Sequence, residues 1–512
     1  MKKIVFLTGI LLACNSVVFS QGTEIDAYTM SNTELSGTAR SMAMGGAFGA
    51  LGGDISILSI NPAGLGIYRS SELTGTVGFS NIGSSTSWLG TEKDVNKNNF
   101  SLDNLGFELY LPTSSGSIMN WNLAFSYNRV KNFNREYKME NRGMPNSIGD
   151  YVASLAQGIP EKDLIYTEGV YDPYFAANMA GNWLSILGYE SYMINPAGNN
   201  SYTGFFDNYR PTEGYLRVTE HGEISEMNFG IGTNINNLLF LGASVSVTQM
   251  DYRLNSAYEE YNELDHHIYL DNWLNTEGDG YSFTLGAILN LQMIRLGAAY
   301  STPKWFQLTD YYDARAETYL TDDDVETRYT PENTYTDYKF HTPGKWTFSG
   351  AVIIGQSALL SADYEMTNYK NMKYFNTDGG EYYTNRDIEA DFGVAHTLRL
   401  GGELKIIPQF AIRAGYAMQT SPMRTELANN DVEVWPAGTI AHFSTTENTT
   451  NYITAGLGYR FTPNFSMDLA CIYKTNEGKA YAFSSTPDGV ISEPATLKNN
   501  STRLALTLGY KF

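Results

Sequence analysis

The sequence has little cysteine, few basic residues and no long apolar run beyond its first twenty residues. Its two cysteines, Cys14 and Cys471, cannot form a disulfide framework, because the first lies in a segment that we expect to be removed. No later stretch approaches the roughly 20 consecutive apolar residues that a membrane helix requires. The 34 basic residues face 55 acidic ones, and this net charge of −21 argues against nucleic acid as a partner.

Residues 1–20 have the features of a signal peptide. Lys2 and Lys3 form a basic start, residues 4–13 are apolar but too few to span a bilayer, and Ser20 precedes the expected cleavage point. A lipoprotein signal is the alternative, because residues 11–14 resemble a lipobox. Apolar residues continue beyond Cys14, which favours ordinary cleavage. Both interpretations predict export.

What is abundant is tyrosine (37), phenylalanine (25) and glycine (48), whereas charged residues make up only 17% of the chain. Aromatic girdles and tightly packed strands produce this mixture in membrane barrels, although a secreted β-protein produces it too. The mean hydropathy of −0.29 also fits a soluble protein. It does not exclude a barrel, because half of each barrel strand faces a polar lumen.

The last ten residues alternate with a period of two, as a β-strand does. The apolar face consists of Leu504, Leu506, Leu508, Tyr510 and Phe512, and the opposite face of Arg503, Ala505, Thr507, Gly509 and Lys511. A soluble sandwich explains such a strand equally well, but not why the chain ends on its aromatic residue. A terminal aromatic strand resembles the signal that barrel-assembly machinery reads in outer-membrane proteins.

The same alternation recurs along the chain and predicts fourteen strands. They lie near 72–80, 102–111, 119–130, 225–236, 238–250, 281–291, 293–300, 345–355, 357–367, 396–406, 409–418, 451–461, 464–474 and 502–512. Tight turns alternate with long connections near 81–101, 131–224, 251–280, 301–344, 368–395, 419–450 and 475–501. Short periplasmic turns and long outer loops are typical of bacterial barrels and not of sandwiches. Residues 71–512 are therefore predicted to form an all-β, fourteen-stranded antiparallel transmembrane β-barrel with long extracellular loops.

Residues 21–70 do not match the pattern of membrane strands. They are rich in glycine and other small residues, which suit tight turns in a confined space. No Gly-Lys-Ser/Thr follows these glycines, which excludes a nucleotide-binding loop. The alternatives are a periplasmic linker and a plug of the barrel lumen, and the low charge of the segment favours the plug.

Gly-Gly-Ala-Phe at residues 45–48, then Gly53-Asp54 and Asn-Pro-Ala-Gly-Leu at residues 61–65, resemble the FadL/TodX family of hydrophobic-compound transporters. The match is closest to Bacteroidetes-type members, often labelled hemin receptors. The resemblance implies an N-terminal hatch in the lumen, whose motif residues are Gly45, Gly46, Asp54, Asn61, Pro62 and Ala63. It also implies passive uptake of hydrophobic small molecules such as long-chain fatty acids, with lateral exit through the barrel wall. Secretion-associated structural barrels of the same superfamily share these segments and remain an alternative.

The long connection at 131–224 predicts two short helices. One apolar row at helical spacing consists of Ile148, Val152, Leu155 and Ile159, and the other of Phe175, Met179, Trp183 and Leu187. The second row either forms a groove that captures ligand or packs against the first over the barrel mouth. The resemblance favours capture, because the third loop has that role in the family.

Catalytic and cofactor chemistry has little support in the sequence. The adjacent His266 and His267 are the only hint of heme, but neighbouring side chains of a strand point in opposite directions. The acidic run at residues 322–326 lacks the spacing of an EF-hand. We therefore expect no enzyme, no metal and no cofactor, with a heme receptor kept as an alternative. The expected protein is a monomeric outer-membrane transporter whose partners are a hydrophobic substrate, membrane lipids and the assembly machinery.

Overall fold

Fourteen strands of the main sheet, with alternating inward and outward side chains, form a barrel. The computed structural model describes residues 22–114, 116–175, 182–206, 213–264, 266–321, 324–332 and 334–512, so the predicted signal peptide lies outside the described residues. Within these ranges the barrel strands are β1 Glu72–Trp88, β2 Thr91–Pro112, β3 Ile118–Asn132, β4 Glu213–Ile235, β5 Leu239–Tyr261, β6 His267–Leu291, β7 Ile294–Ser301, β8 Lys345–Ile354, β9 Ala358–Asn368, β10 Val394–Ile407, β11 Phe410–Gln419, β12 Thr450–Arg460, β13 Phe465–Tyr481 and β14 Ala495–Lys511.

Each of these strands pairs antiparallel with its neighbour in sequence. The first strand also pairs with the last, from Glu72 opposite Lys511 to Trp88 opposite Ala495, and this closes the barrel. The fourteen-stranded antiparallel barrel is thus confirmed, and each predicted strand corresponds to one observed strand. Closure leaves no free sheet edge around the ring at the level where all ladders are complete.

The outward face of the barrel carries a belt of apolar side chains. On β14, Leu504, Leu508 and Tyr510 are about half exposed, whereas Ala505 and Thr507 on the opposite face are buried. A band of exposed apolar residues around a closed barrel is the part that contacts lipid. None of the helices in the described residues is long and apolar enough to cross a membrane.

Several strands continue far beyond the belt, and here the predicted connections were too long. Between β1 and β2 only Leu89 and Gly90 are left unpaired, and the connection between β5 and β6 spans residues 262–266. The stretches 81–101 and 251–280 are therefore mostly strand. Beyond Phe79 the outward residues turn polar, starting at Asn81, so the apolar alternation stops while the backbone pairing continues.

Shorter elements complete the fold. Further strands are Arg135–Arg142, Trp305–Thr321, Asp324–Tyr329, Thr334–His341, Lys373–Asn376 and Phe443–Thr446 in the main sheet, and the hairpin Ile194–Gly198 with Ser201–Gly204. The helices are α1 Glu24–Ser31, α2 Ala39–Ala43, α3 Ile148–Ala156, α4 Trp183–Glu190, α5 Thr384–Asp391 and α6 Thr425–Ala428. The 3₁₀ turns are Ile55–Ser59, Pro62–Ile67, Glu161–Asp163, Pro173–Phe175 and Tyr369–Asn371.

The tight turns lie at the end of the barrel opposite the strand extensions, and their residues suit the backbone angles found there. Asn236 and Asn237 connect β4 to β5 with φ angles of 54° and 56°, as the two central residues of a type I′ hairpin turn require. Gln292, between β6 and β7, has a φ of 64°. These turns lie at the periplasmic end, which also carries the start of β1 and the end of β14.

The largest apolar core lies at the outer end of the barrel. It brings α1 together with the extended strands and the long connections, and we call this assembly the outer cap. Its largest fully buried side chains include Trp88, Tyr137, Tyr151, Tyr374, Phe306, Phe340, Phe392 and Phe483. A second core, around Phe48, Leu58 and Leu65, lies in the periplasmic half of the lumen, beside a polar cavity of about 270 Å³.

Candidate functional site

Asn61 ties the N-terminal segment to the barrel wall. Its side-chain Nδ2 donates to the carbonyl of Gly49 at 2.7 Å and to that of Ala287 on β6 at 3.3 Å. Its Oδ1 accepts from the backbone N–H of Ala63 at 3.2 Å and so caps the turn that begins at Pro62. Because Asn61 is only 1% exposed, each of these bonds is made inside the lumen.

Glycines of the segment and of the barrel wall let the two backbones approach each other, at Asn61 and also where Gly45 faces Tyr416. Gly45 and Gly46 have φ angles of 63° and 75°, in the region that favours glycine. On the barrel wall, a Cβ at Gly242 would overlap the backbone of Pro62, and one at Gly286 would overlap the side chain of Asn61. The structure therefore brings the predicted motif residues of the segment against glycines of the wall.

Asp54, the remaining motif residue, organises the neighbouring turn. Its carboxylate accepts from the backbone N–H of Ser56 at 3.0 Å and from the hydroxyl of Thr38 at 2.7 Å. Arg40 lies beside it, donating to the carbonyl of Gly53 and forming a 3.0 Å ion pair with Glu403 of β10. The sequence reasoning missed Arg40, since nothing in the pattern distinguishes it from a surface arginine.

Glu34 links the segment to the other side of the ring. Burial opposes its ionisation, but the cations of Lys474 and Arg503 outweigh this effect and lower the pKa of Glu34 to about 2. Lys474 forms an ion pair with it, and Arg503 lies 3.8 Å away. The segment is thus held to the wall by charge as well as by close packing.

The first helix of the described chain, α1, lies in the outer cap rather than among the periplasmic turns. Thr23 and Asp26 form a capping box that starts it. The ring of Tyr28 packs against those of Tyr369 and Phe392, with centroids 5.3 and 5.8 Å apart. The segment therefore runs along the lumen from the outer cap to the periplasmic end, where it enters β1.

Two adjoining cavities border α1: the walls of the smaller are largely apolar, whereas the larger is also lined by Arg135, Glu220 and His442. Both are lined by Asp26, Thr29, Tyr252, Leu274, Ala437 and Ile440, and the larger also by Ile25, Val218, Leu254, Val434 and Trp435. Deeper in the lumen, a third cavity is lined by serines, threonines and the charged residues Lys304, Lys345, Arg399, Glu226 and Glu365. Only the smaller cavity beside α1 is thus mainly apolar, whereas the other two also contain charged side chains.

The long connection forms the predicted helices, but only part of the expected surface. Ser147 caps α3, which buries Ile148 and Val152 of the predicted row, but Ile159 of that row lies beyond the end of the helix at Ala156. Asn182 caps α4 at Trp183, so Phe175 belongs to a separate 3₁₀ turn and the predicted single row at i+4 spacing is wrong. The cap hydrogen bond from the N–H of Ser185 to Asn182 fixes that start.

The four residues of the predicted row have different surroundings. Trp183 and Leu187 are 2% and 0% exposed and belong to the core of the outer cap. Phe175 is 47% exposed, and its ring lies 6.0 Å from that of Trp183. Met179 lies outside the described residues. Phe175 alone of the three described residues presents apolar surface to solvent.

The seam between β2 and β3 differs from the other seams of the ring. Its ladder ends at Asn104 opposite Asn128, and among the described residues the outer part of β2, residues 91–102, pairs only with β1. Both strands bulge at this level: Asp103 is the extra residue of β2 against β1, and Val130 that of β3 against β4. The ladder therefore stops where both of its strands are distorted.

Ion pairs bridge the seam above the last rung. Arg129 of β3 lies 2.6 Å from Asp103 of β2, and both side chains are buried. The strand Arg135–Arg142 continues along β4 and touches β1 and β2 without a ladder to either. Lys97 of β2 pairs with Glu136 of that strand at 3.1 Å, and Lys93 pairs with Glu140. Side-chain charges here replace backbone hydrogen bonds.

The part of the seam that has no β2–β3 ladder lies partly at the level of the apolar belt. Phe100 and Leu102 of β2 point outward and are 71% and 48% exposed, at or above the level where the ladder ends. A polar cavity lies on the inner side of β1, β13 and β14 next to the end of β3, and it is lined by Ser80, Ile82, Asn132, Asn134, Arg135, Lys474 and Asn500, among others. Arg135 also lines the larger cavity beside α1, where it is paired with Glu220.

Metal and heme chemistry gain no support from the geometry. The part of the chain that the structure describes contains no cluster of three or more His, Cys, Asp or Glu side chains that could hold a metal ion. Residues 322 and 323 of the acidic run lie outside the described residues. The ring of His267 is stacked on Tyr319 at 3.6 Å, and that of His266 lies 5.9 Å from Phe205.

Comparison with known proteins shows which solved structures share this fold. No protein-family model and no curated protein matches the chain. A Pseudomonas aeruginosa FadL homologue superposes with a TM-score of 0.54 at 12% identity, over 94% of this chain and 99% of that one. This chain has the FadL-type barrel fold. The P. putida toluene transporter TodX gives a TM-score of 0.50 at 12% identity with the same coverage. The closed ring, its apolar belt and the FadL-type fold together make the chain an outer-membrane β-barrel.

Proposed function

We propose that this protein is a passive uptake channel for hydrophobic small molecules, which leave the barrel sideways through the β2–β3 seam. The observation that carries the proposal is the seam itself: its ladder ends at Asn104 opposite Asn128, beside outward apolar residues of the belt. An apolar molecule that leaves there enters hydrocarbon directly and avoids the polar interior below. Proteins of the same fold include a toluene transporter, which supports the substrate class.

The proposed route starts at the outer cap. A ligand first meets exposed apolar side chains such as Phe175, then the two cavities beside α1, and then the cavity inside β1, from which the neighbouring seam is reached. Arg135, paired with Glu220, lines both of the last two and forms the boundary between them. The N-terminal segment serves as a hatch that blocks the periplasmic half, because its motif residues pack against the wall there. The long-chain fatty acids expected from the resemblance are one candidate class.

Uptake by whole cells tests this function. Cells that produce the chain should take up radiolabelled toluene faster than cells with an empty vector, whereas uptake of a polar solute of similar size should not change. An equal rise for the polar solute would identify an open porin and contradict the proposal. Deleting residues 22–65 should raise the conductance of single barrels in planar bilayers, and an unchanged conductance would remove the hatch from the account.

A further inference from the structure

Two carboxyl groups face the smaller cavity beside α1, that of Asp310, which is buried, and that of Asp26, which is half-buried. Asp310, on the strand Trp305–Thr321, is 5% exposed, and its Oδ1 accepts from the hydroxyl of Thr276 at 2.6 Å and from that of Tyr338 at 3.1 Å. Asp26 of α1 uses its Oδ2 to accept from the backbone and the hydroxyl of Thr23. Both residues line the same cavity.

One oxygen of each carboxyl group takes no part in these hydrogen bonds. Neither Oδ2 of Asp310 nor Oδ1 of Asp26 has a hydrogen-bond partner among the described residues, and no lysine or arginine of those residues forms an ion pair with either group. The nearest arginine along the cavity walls, Arg135, is already paired with Glu220. A buried carboxylate without a cation is unfavourable, so such a group is either protonated or receives a cation from elsewhere.

Apolar side chains form much of the remaining wall. Met30, Leu274, Ala437 and Ile440 line the cavity together with Thr29 and Tyr252, and the adjoining cavity adds aliphatic side chains as well as Arg135, Glu220 and His442. Burial raises the pKa of Asp310 to about 7, so in the empty protein this group is partly protonated near neutral pH. A positively charged ligand would displace that proton and supply the missing counter-charge.

The size of the cavity narrows the choice of ligand. Its volume of about 20 Å³ has room for a group of roughly the size of one water molecule. A primary ammonium group has that size and donates three hydrogen bonds, which the two free carboxyl oxygens can accept. A trimethylammonium group is much larger and donates none, and a carboxylate would be repelled.

We propose that this cavity is a selectivity site that binds the ammonium head of a hydrophobic primary amine, with its apolar tail in the adjoining cavity. The inference rests on the proposed uptake function and sets a preference within it: amines before neutral compounds of the same skeleton, and carboxylates last. Asp310 and Asp26 are the residues that set this order.

Binding to the purified mature protein in lipid nanodiscs tests the preference by calorimetry with four hexyl compounds. Hexylamine should bind at least tenfold more tightly than hexanol, and hexanoate and hexyltrimethylammonium more weakly than hexanol. In Asp310→Asn the advantage of hexylamine over hexanol should fall about tenfold. The control Asp313→Asn, an exposed residue on the same strand, should keep the advantage. Heat-modifiable gel migration confirms that each variant is folded.

Three outcomes would overturn the proposal: equal binding of amine and alcohol, an advantage that survives in Asp310→Asn, or no binding of hexylamine. A second variant, Asp26→Asn, should show the same loss and guards against a purely local effect at Asp310. Failure here leaves the uptake channel standing, because the uptake of toluene does not depend on a charged head. Failure of the toluene experiment would instead remove the channel itself.

Discussion

Replacing Arg129 by alanine should loosen the β2–β3 seam without unfolding the barrel. The guanidinium is 2% exposed and lies 2.6 Å from Asp103, which is 1% exposed. Removing one partner of a buried ion pair costs about 3–5 kcal/mol, because the other charge stays buried. Arg503, 3.8 Å from the same carboxylate, and the hydroxyl of Ser101, at 2.8 Å, retain part of the stabilisation. We therefore expect a loss of about 2–3 kcal/mol, confined to the seam.

Hydrogen exchange of the backbone amides measures this loss locally. The last rungs of the ladder, from Asn104 opposite Asn128 to Gly106 opposite Ser126, should exchange about 30 to 150 times faster, since 1.4 kcal/mol is a factor of ten. The ladder between β8 and β9 should not change. Arg142→Ala is the matched control, because its ion pair with Glu213 is exposed and worth at most about 1 kcal/mol. Unchanged exchange at the last rungs, or an equal rise in every ladder, would show that the Arg129–Asp103 ion pair does not hold the seam locally.

Three further results follow from the contacts of the segment and the cap. Gly242→Ala should unseat the hatch and raise bilayer conductance, because its Cβ overlaps the hatch backbone, whereas Gly350→Ala, with open space around its Cβ, should not; equal conductance in both would contradict the packing. The pKa of Glu34 is lowered from 4.5 to about 2, so its ion pairs stabilise the segment fully above pH 4.5 and stop doing so as the pH falls through 2. Bilayer conductance should therefore rise as the pH is lowered over that range. In Glu34→Gln the conductance should not change with pH in this way. Trp183→Ala, in the buried core, should cost about 3–5 kcal/mol in unfolding experiments, whereas the exposed Phe175→Ala should leave stability unchanged and slow toluene uptake; the reverse pattern would invert their roles.

The membrane-spanning part of the fold could be predicted from the sequence because side chains that face lipid are apolar, so apolar and polar residues alternate along each strand. The closing strand ends on Phe512, its apolar face points outward, and its small and charged face points to the lumen, as the alternation predicted. The turn at Asn236 and Asn237 was likewise predictable, since few residues tolerate its backbone angles. Above the membrane this rule no longer holds. The strand extensions above the membrane have polar residues on their outward face, such as Asn81, so apolar and polar residues do not alternate there.

The candidate site was predictable only in part, for a related reason. The motif residue Asn61 could be named from the resemblance, but its partner Ala287 lies on a strand more than 200 residues away. The bulges at Asp103 and Val130 depend on register, which is set by pairing between strands and has no local signal. The start of α4 carried a signal that the periodicity overrode: Asn182 is a good N-cap and separates Phe175 from the helix.

A reversible cross-link across the β2–β3 seam tests directly whether hydrophobic molecules leave the barrel there. Lys97 and Glu136, which form an ion pair at 3.1 Å across the seam, are replaced by cysteines in a Cys471→Ser background and joined by a short bis-thiosulfonate. Lys479 and Glu447, an ion pair at 2.7 Å in the outer cap, receive the same treatment as a control. Toluene uptake should fall to the empty-vector rate only with the seam cross-linked and recover on reduction. Uptake that continues unchanged through the cross-linked seam would contradict lateral exit.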